Sequence, residues 1–125
     1  MSRRAVIYWC GSTAQNERMT IEHLCVVARQ HGWTVVKVVR RPEASRPQPA
    51  SLSQLLAESE ADLLIVASFA AMADTVADVL EEIVTLRDAR CDLYVHDTEL
   101  DTTSPIDRVL FRIADGLRSI EKAGE

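Results

Sequence analysis

The sequence predicts an α/β fold of three layers, with helices on both faces of a mostly parallel sheet of four to five strands. Three observations predict it. Short apolar, β-branched runs alternate with longer segments whose apolar residues recur at helical spacing. The resulting order, β-α-β-α-β-α-β-α, calls for parallel strands joined by crossovers. The run Leu63–Ala67 (LLIVA) is apolar throughout, the pattern of a strand covered on both faces. The length, 125 residues with 47% hydrophobic, suits one domain with one core that needs neither disulfide nor metal.

Each element has its own justification. Arg4–Trp9 (RAVIYW) is a short apolar β run, punctuated by Gly11, Ser12 and Thr13. Asn16–His31 carries Met19, Ile21, Leu24, Val27 and Ala28 near helical period, and Gly32 follows as a C-cap. Thr34–Val39 (TVVKVV) is β-branched and reads as a strand. Arg40–Ala50, with three prolines and three arginines, is the long irregular stretch, and loops of this size inside a domain tend to be functional. Ser51–Glu58 fits a short helix with Leu52, Leu55 and Leu56 on one face. Asp74–Ala89 is a helix through Val76, Val79, Leu80, Ile83 and Leu86. Asp92–His96 (DLYVH) is a fourth strand, and Asp97–Thr103 a polar loop. Ser104, Pro105 and Asp107 then suit a helix start, as N-cap, first helical residue and first-turn acid. The last helix has the stripe Val109, Leu110, Ile113, Leu117 and Ile120, with Phe111 adjacent.

Composition excludes several classes. The formal net charge is -5, from 14 basic and 19 acidic residues, whereas a free-standing nucleic-acid binder usually carries a basic excess. Cys10, Cys25 and Cys91 are three in number and widely spaced, which fits neither a disulfide framework nor a zinc site. Cys25 and Cys91 read as small core residues. There is no membrane-length apolar run and no signal-peptide pattern, so a cytoplasmic protein is expected. His23, His31 and His96 form no ligand spacing along the chain and read as surface or capping residues. Asp97, Glu99 and Asp101 read as a polar loop rather than a cation site. Neither a dinucleotide fingerprint nor a P-loop is present, and no cofactor or metal is expected.

Ligands of open α/β sheets bind beyond the carboxyl ends of the strands. Those ends are Cys10–Thr13, Arg40–Ser45, Ser68–Met72 and His96–Thr98. Ser12 stands between a first strand and a helix, where a serine either caps the next turn or meets a phosphate or substrate as an exposed nucleophile. Trp9 and Trp33 read as packing residues, with Trp9 beside this turn.

The segment Ala5–Asn16 (AVIYWCGSTAQN) resembles the opening of the serine recombinase (resolvase/invertase) catalytic domain. That family has an apolar strand, then Tyr-x-Arg-Val-Ser-Thr, then a Gln. The likeness continues through ARQHGW at Ala28–Trp33, Leu55-Leu56 with Asp62–Val66, Thr75–Leu86, Asp92–Val95 and Glu99–Pro105. Order and spacing together carry it. The resemblance implies a resolvase-like catalytic fold over residues 1–125; the C-terminal DNA-binding domain that the family normally appends is not expected in this sequence. It places Ser12 as the nucleophile that forms a phosphoserine link to DNA during strand cleavage and exchange, with Thr13 toward the phosphate and Arg46 there only if its loop is rearranged.

The sequence departs from the family where the family keeps charge. Its Arg two residues before the serine is Cys10. In its Leu-Asp-Arg-Leu-x-Arg motif the Asp falls on Ala70, one Arg on Ala71 and the other on Asp74. Its loop Arg aligns nearest Pro49, three residues from Arg46, and its Gln position holds Asn16. Loss of one oxyanion-stabilising donor costs about a hundred- to a thousandfold in rate. Catalysis is therefore expected to be impaired or lost, unless Arg3, Arg4, Arg40, Arg41 and Arg46 rebuild a cationic pocket.

Three readings follow. One is a serine recombinase whose DNA binding is weak or absent for this chain alone. The second is a non-catalytic module that keeps the fold and forms a homodimer or binds a partner through Val109, Leu110, Ile113, Leu117 and Ile120. The third is a small phosphate-binding α/β protein. The same stripe is also what a helix packed on a core shows.

Overall fold

The computed structural model describes residues 3–10, 14–41, 49–69, 72 and 75–123. Nine elements follow one another: β1 (Arg4–Cys10), α1 (Ala14–Gln30), β2 (Thr34–Arg41), α2 (Pro49–Ser59), β3 (Leu63–Val66), α3 (Val76–Asp88), β4 (Asp92–Val95), β5 (Leu100–Asp101) and α4 (Val109–Ala123). The strands form one sheet in the order β2-β1-β3-β4-β5. All pairings are parallel except β4 with β5.

Alternation along each strand sends side chains to opposite faces, and the core divides accordingly. On one face Val6, Tyr8, Val39, Leu64, Val66, Leu93 and Val95 pack against Leu56 of α2, Leu80, Ile83, Val84 and Leu86 of α3, and Phe111 and Ala114 of α4. On the other, Ala5, Ile7, Leu63, Ile65 and Tyr94 pack against Leu24, Val27 and Ala28 of α1. Every residue of β3 is buried, as its unbroken apolar run requires of a central strand. Truncation of a side chain such as Ile65 to Ala there would cost about 2–5 kcal/mol.

Helix ends are set by local chemistry. The Thr75 hydroxyl accepts the Asp78 N–H at 3.1 Å as the N-cap of α3, with Asp78 in the first turn and Arg87 in the last, matching the helix dipole. After α1, α2 and α3 the chain reverses through Gly32 (φ 78°), Glu60 (φ 51°) and Arg90 (φ 56°), all left-handed. Only the first of these has the residue that adopts this conformation freely.

Several expectations are revised. Met19 is 64% exposed while Ile21, Leu24, Val27 and Ala28 are buried; five residues before Leu24 is roughly 140° around a helix, off the core face. Val76 opens α3 and is exposed. His31 lies beyond α1, in the turn. β2 runs on to Arg41, so the irregular stretch begins later than Arg40. The loop after β4 holds β5, reached through a turn with Glu99 at φ 53°.

Regular α4 begins at Val109 rather than at Pro105. The Asp107 carboxylate accepts the Asp101 N–H at 2.9 Å, and the carbonyls of Ser104, Ile106 and Asp107 accept the N–H groups of Arg108, Val109 and Leu110. Ser104 therefore marks the approach to the helix and not its cap.

Of the apolar stripe of α4, only Leu110 meets the core; the other four residues do not. Leu110, Phe111 and Ala114 pack inward. Val109, Ile113, Leu117 and Ile120 are 45–68% exposed. Two ion pairs to α3 hold this orientation, Arg118 to Glu81 at 2.8 Å and Arg87 to Asp115 at 3.2 Å.

Candidate functional site

The strand order locates the crevice. From β1 the chain steps to one side for β2 and returns to the other side for β3, so the carboxyl end of β1 is a topological switch point, where open α/β sheets bind ligands. The sequence places its serine there. β1 ends at Cys10 and α1 starts at Ala14, with Ser12 and Thr13 in between. The positions of Ser12, Thr13, Arg46, Ala70, Ala71 and Asp74 lie outside the described residues. Of Cys10 the structure gives the backbone, paired with Arg41 at the last step of the β1–β2 ladder.

The parallel register carries the end of β2 to the same pole. Trp9 pairs with Arg40 and Cys10 with Arg41, so two consecutive arginine positions flank the strand that leads to Ser12. Arg3 and Arg4 sit at the opposite pole. The guanidinium of Arg3 bonds Asp92, and Arg4 donates to the carbonyls of Glu60 at 3.1 Å and Ser59 at 3.2 Å. A seven-residue strand spans roughly 20 Å, so these two cannot join a cationic pocket at Ser12. Arg40 and Arg41 are in place to do so by backbone position.

The rest of the pole is apolar or imidazole-bearing. Trp9 is half-buried, and among the described residues its indole N–H finds no acceptor. Ala67, Ser68 and Phe69 continue from β3 and are half-buried. The β3–β4 pairing extends past the strands, with the His96 N–H donating to the Val66 carbonyl at 3.0 Å and the Asp97 N–H to the Ala67 carbonyl at 2.9 Å. His96 thus reaches the same end of the sheet.

Histidines that looked unrelated along the chain are brought together here. His23 of α1 and His96 after β4 face each other with their Nε2 atoms 2.9 Å apart. The Tyr94 hydroxyl lies 3.1 Å from His96 Nδ1. Burial pushes the Tyr94 phenol above its ordinary range, reinforced by the negative charges of Glu99 and Asp101. Trp33 packs edge-on to Tyr94 and beneath His31, with ring centroids at 5.4 and 4.3 Å, so Trp33 is a packing residue. A separation of 73 residues between His23 and His96 hides the pair from any reading of local spacing. Their only sequence signal is that one follows a strand end while the other lies on the helix that crosses that face.

Asp101 in the acidic loop is absorbed locally, accepting both the N–H and hydroxyl of Thr103 at 2.9 and 2.6 Å. Among the described residues no group of three or more His, Cys, Asp or Glu could hold a metal ion. No helix among them is long and apolar enough to cross a membrane.

Comparison with known proteins agrees with the fold. The family model for the resolvase N-terminal domain matches residues 5–124. The N-terminal catalytic domain of TP901-1 integrase superposes with a TM-score of 0.80 at 19% identity, covering 98% of this chain and 99% of that one. A resolvase family site-specific recombinase from Streptococcus pneumoniae gives 0.74 at 17% identity, covering 98% and 90%. The C-terminal catalytic domain of ISC1926 TnpA, an IS607-like serine recombinase, gives 0.64 at 18% identity, covering 74% and 68%. No curated protein matches the chain.

Proposed function

Since the chain belongs to the resolvase N-terminal domain family, we propose that it is a single recombinase-fold domain whose strand-cleaving chemistry is impaired and whose working activity is self-association through α4. The observation that carries this reading is the exposed stripe Val109, Ile113, Leu117 and Ile120. A helix whose apolar residues all served its own core would not leave four large ones facing water. They stand in one row beside the inward face, fixed outward by the ion pairs to α3. A second copy presenting the same row makes a self-complementary twofold contact.

The catalytic half rests on residue identity. In sequence Ser12 falls between the end of β1 and the start of α1, but Cys10, Ala71 and Asp74 stand where the family places arginines. Phosphoryl transfer depends on fixed cations around the transferring group, and three such losses reduce cleavage by many orders of magnitude. Arg40 and Arg41 are the cations whose backbone positions favour a residual phosphate contact. DNA remains the partner class for that contact, with weak binding expected from this chain alone.

Two measurements test the proposal. Sedimentation velocity should show a concentration-dependent dimer that Leu117→Glu converts to monomer; a strict monomer at high concentration overturns the self-association. Incubation with nicked DNA should give no covalent serine–phosphate adduct above the Ser12→Ala background. An adduct that needs Ser12 would instead establish an active recombinase. Stabilisation by inorganic phosphate without DNA would favour the small phosphate-binding alternative.

A further inference from the structure

The facing imidazoles of His23 and His96 have a geometry that a simple hydrogen bond does not require. Their Nε2 atoms are 2.9 Å apart. Two imidazoles bonded end to end in line would place their ring centroids about 5.2 Å apart. The observed centroid separation is 4.7 Å, with the planes at 65°, so the rings are tilted away from the line joining the nitrogens. Two nitrogens bound at a right angle to one ion, with bonds of about 2.0–2.1 Å, also lie about 2.9 Å apart.

The surroundings suit ligation. The Tyr94 hydroxyl occupies the far nitrogen of His96 at 3.1 Å. That contact fixes the ring and leaves Nε2 to face His23, as the outer partners of metal-bound histidines do. Tyr94 is itself buried and clamped by Trp33. His23 is exposed on α1 and His96 half-buried, so an ion can enter from solvent. Among the described residues no third His, Cys, Asp or Glu joins them, so the chelate rests on the two imidazoles.

We propose that His23 and His96 form a two-imidazole chelate for a divalent transition-metal ion of the nickel or copper class, linking α1 to the end of β4. Nitrogen donors at a right angle match the square-planar and octahedral preferences of these ions. Tyr94 is a positioning residue, acting through His96.

Titration of the untagged full chain with nickel(II) chloride, followed by calorimetry, tests this directly. One ion per chain at micromolar affinity is expected, with selective broadening of the ring nitrogen resonances of His23 and His96. His23→Gln and His96→Gln should each weaken binding by about tenfold or more, Tyr94→Phe should weaken it by about tenfold, and His31→Gln should leave it unchanged. Absence of binding by the folded wild-type chain overturns the proposal. So does affinity that survives both His23→Gln and His96→Gln, or that falls equally in His31→Gln. Should His96→Gln disturb folding, His23→Gln on the exposed helix surface decides the matter alone.

Discussion

The carboxylate of Asp92, the first residue of β4, lies 3.2 Å from the guanidinium of Arg108, the last residue before α4. Its other oxygen takes the guanidinium of Arg3 at the foot of β1. The Thr102 hydroxyl donates to Asp92 at 2.8 Å and accepts the Leu93 N–H at 2.8 Å. Asp92 is 5% exposed, so one buried acid ties β1, β4, the segment after β5 and the entry to α4 at the pole opposite the switch point.

Removal of this acid should be costly, because Thr102 would be left buried with half its bonding lost. Asp92→Ala is expected to lower stability by about 2–3 kcal/mol. Arg108→Ala should cost under about 1 kcal/mol, since its own side chain is largely exposed. Urea denaturation of the two variants checks the ratio. Equal losses would mean that the ion pair, not the buried hydroxyl network, dominates.

Alkaline stability should depend on Cys91. Burial pushes its thiol from 9.0 up to about 12, with Asp92 and Asp62 adding to the effect. The folded state therefore holds a proton that the unfolded state releases. Stability is full below pH 9 and falls as pH rises from there toward about 12. Cys91→Ala should lower Tm at neutral pH through the lost packing, yet flatten the decline between pH 9 and pH 10.5. The raised Tyr94 phenol works in the same direction, and Tyr94→Phe separates the two. A Cys91→Ala curve parallel to wild type would contradict this assignment.

Thr75→Ala should cost about 1 kcal/mol by leaving the Asp78 N–H uncapped. Thr75→Ser should restore most of it. Chemical denaturation monitored by circular dichroism is sufficient, since the cap is exposed.

Gly116 offers a test that separates monomer stability from association. It lies mid-helix in α4 beside Ile113 and Leu117, and a Cβ built there meets nothing within 4 Å. Gly116→Ala should raise monomer stability by about 0.5–1 kcal/mol through helix propensity. If two copies cross at this glycine, the same change weakens the dimer measured by sedimentation. A stability gain with unchanged association places the crossing elsewhere along the stripe.

Much of the architecture was legible because burial leaves strong marks. LLIVA announces a central strand, and β3 is buried at every position. β5 was invisible, since a two-residue strand cannot display a period. The stripe on α4 could be seen, but not its direction. Val109 and Leu110 are both apolar neighbours, and only the packing of Leu110, Phe111 and Ala114 shows which row turns inward. The position of the candidate site follows from strand order, whereas the His23–His96 pair depends on α1 lying across β4's face, a tertiary relation that no local spacing encodes. The exception that Arg3 and Arg4 could rebuild a cationic pocket is closed by the same kind of relation, since both are bonded at the far end of β1, to Asp92, Glu60 and Ser59.

The unequal division of the core has a consequence for motion. Three helices interlock on one face of the sheet, joined by ion pairs between α3 and α4, while among the described residues α1 alone supplies the buried helical residues of the other. A unit held by fewer neighbours opens at lower free energy than the whole. Amide hydrogens of α1 should therefore exchange before those of α3 and β3, in a cooperative opening that leaves the sheet and its three-helix layer standing. The segment that departs first is the one that follows Ser12 in the chain.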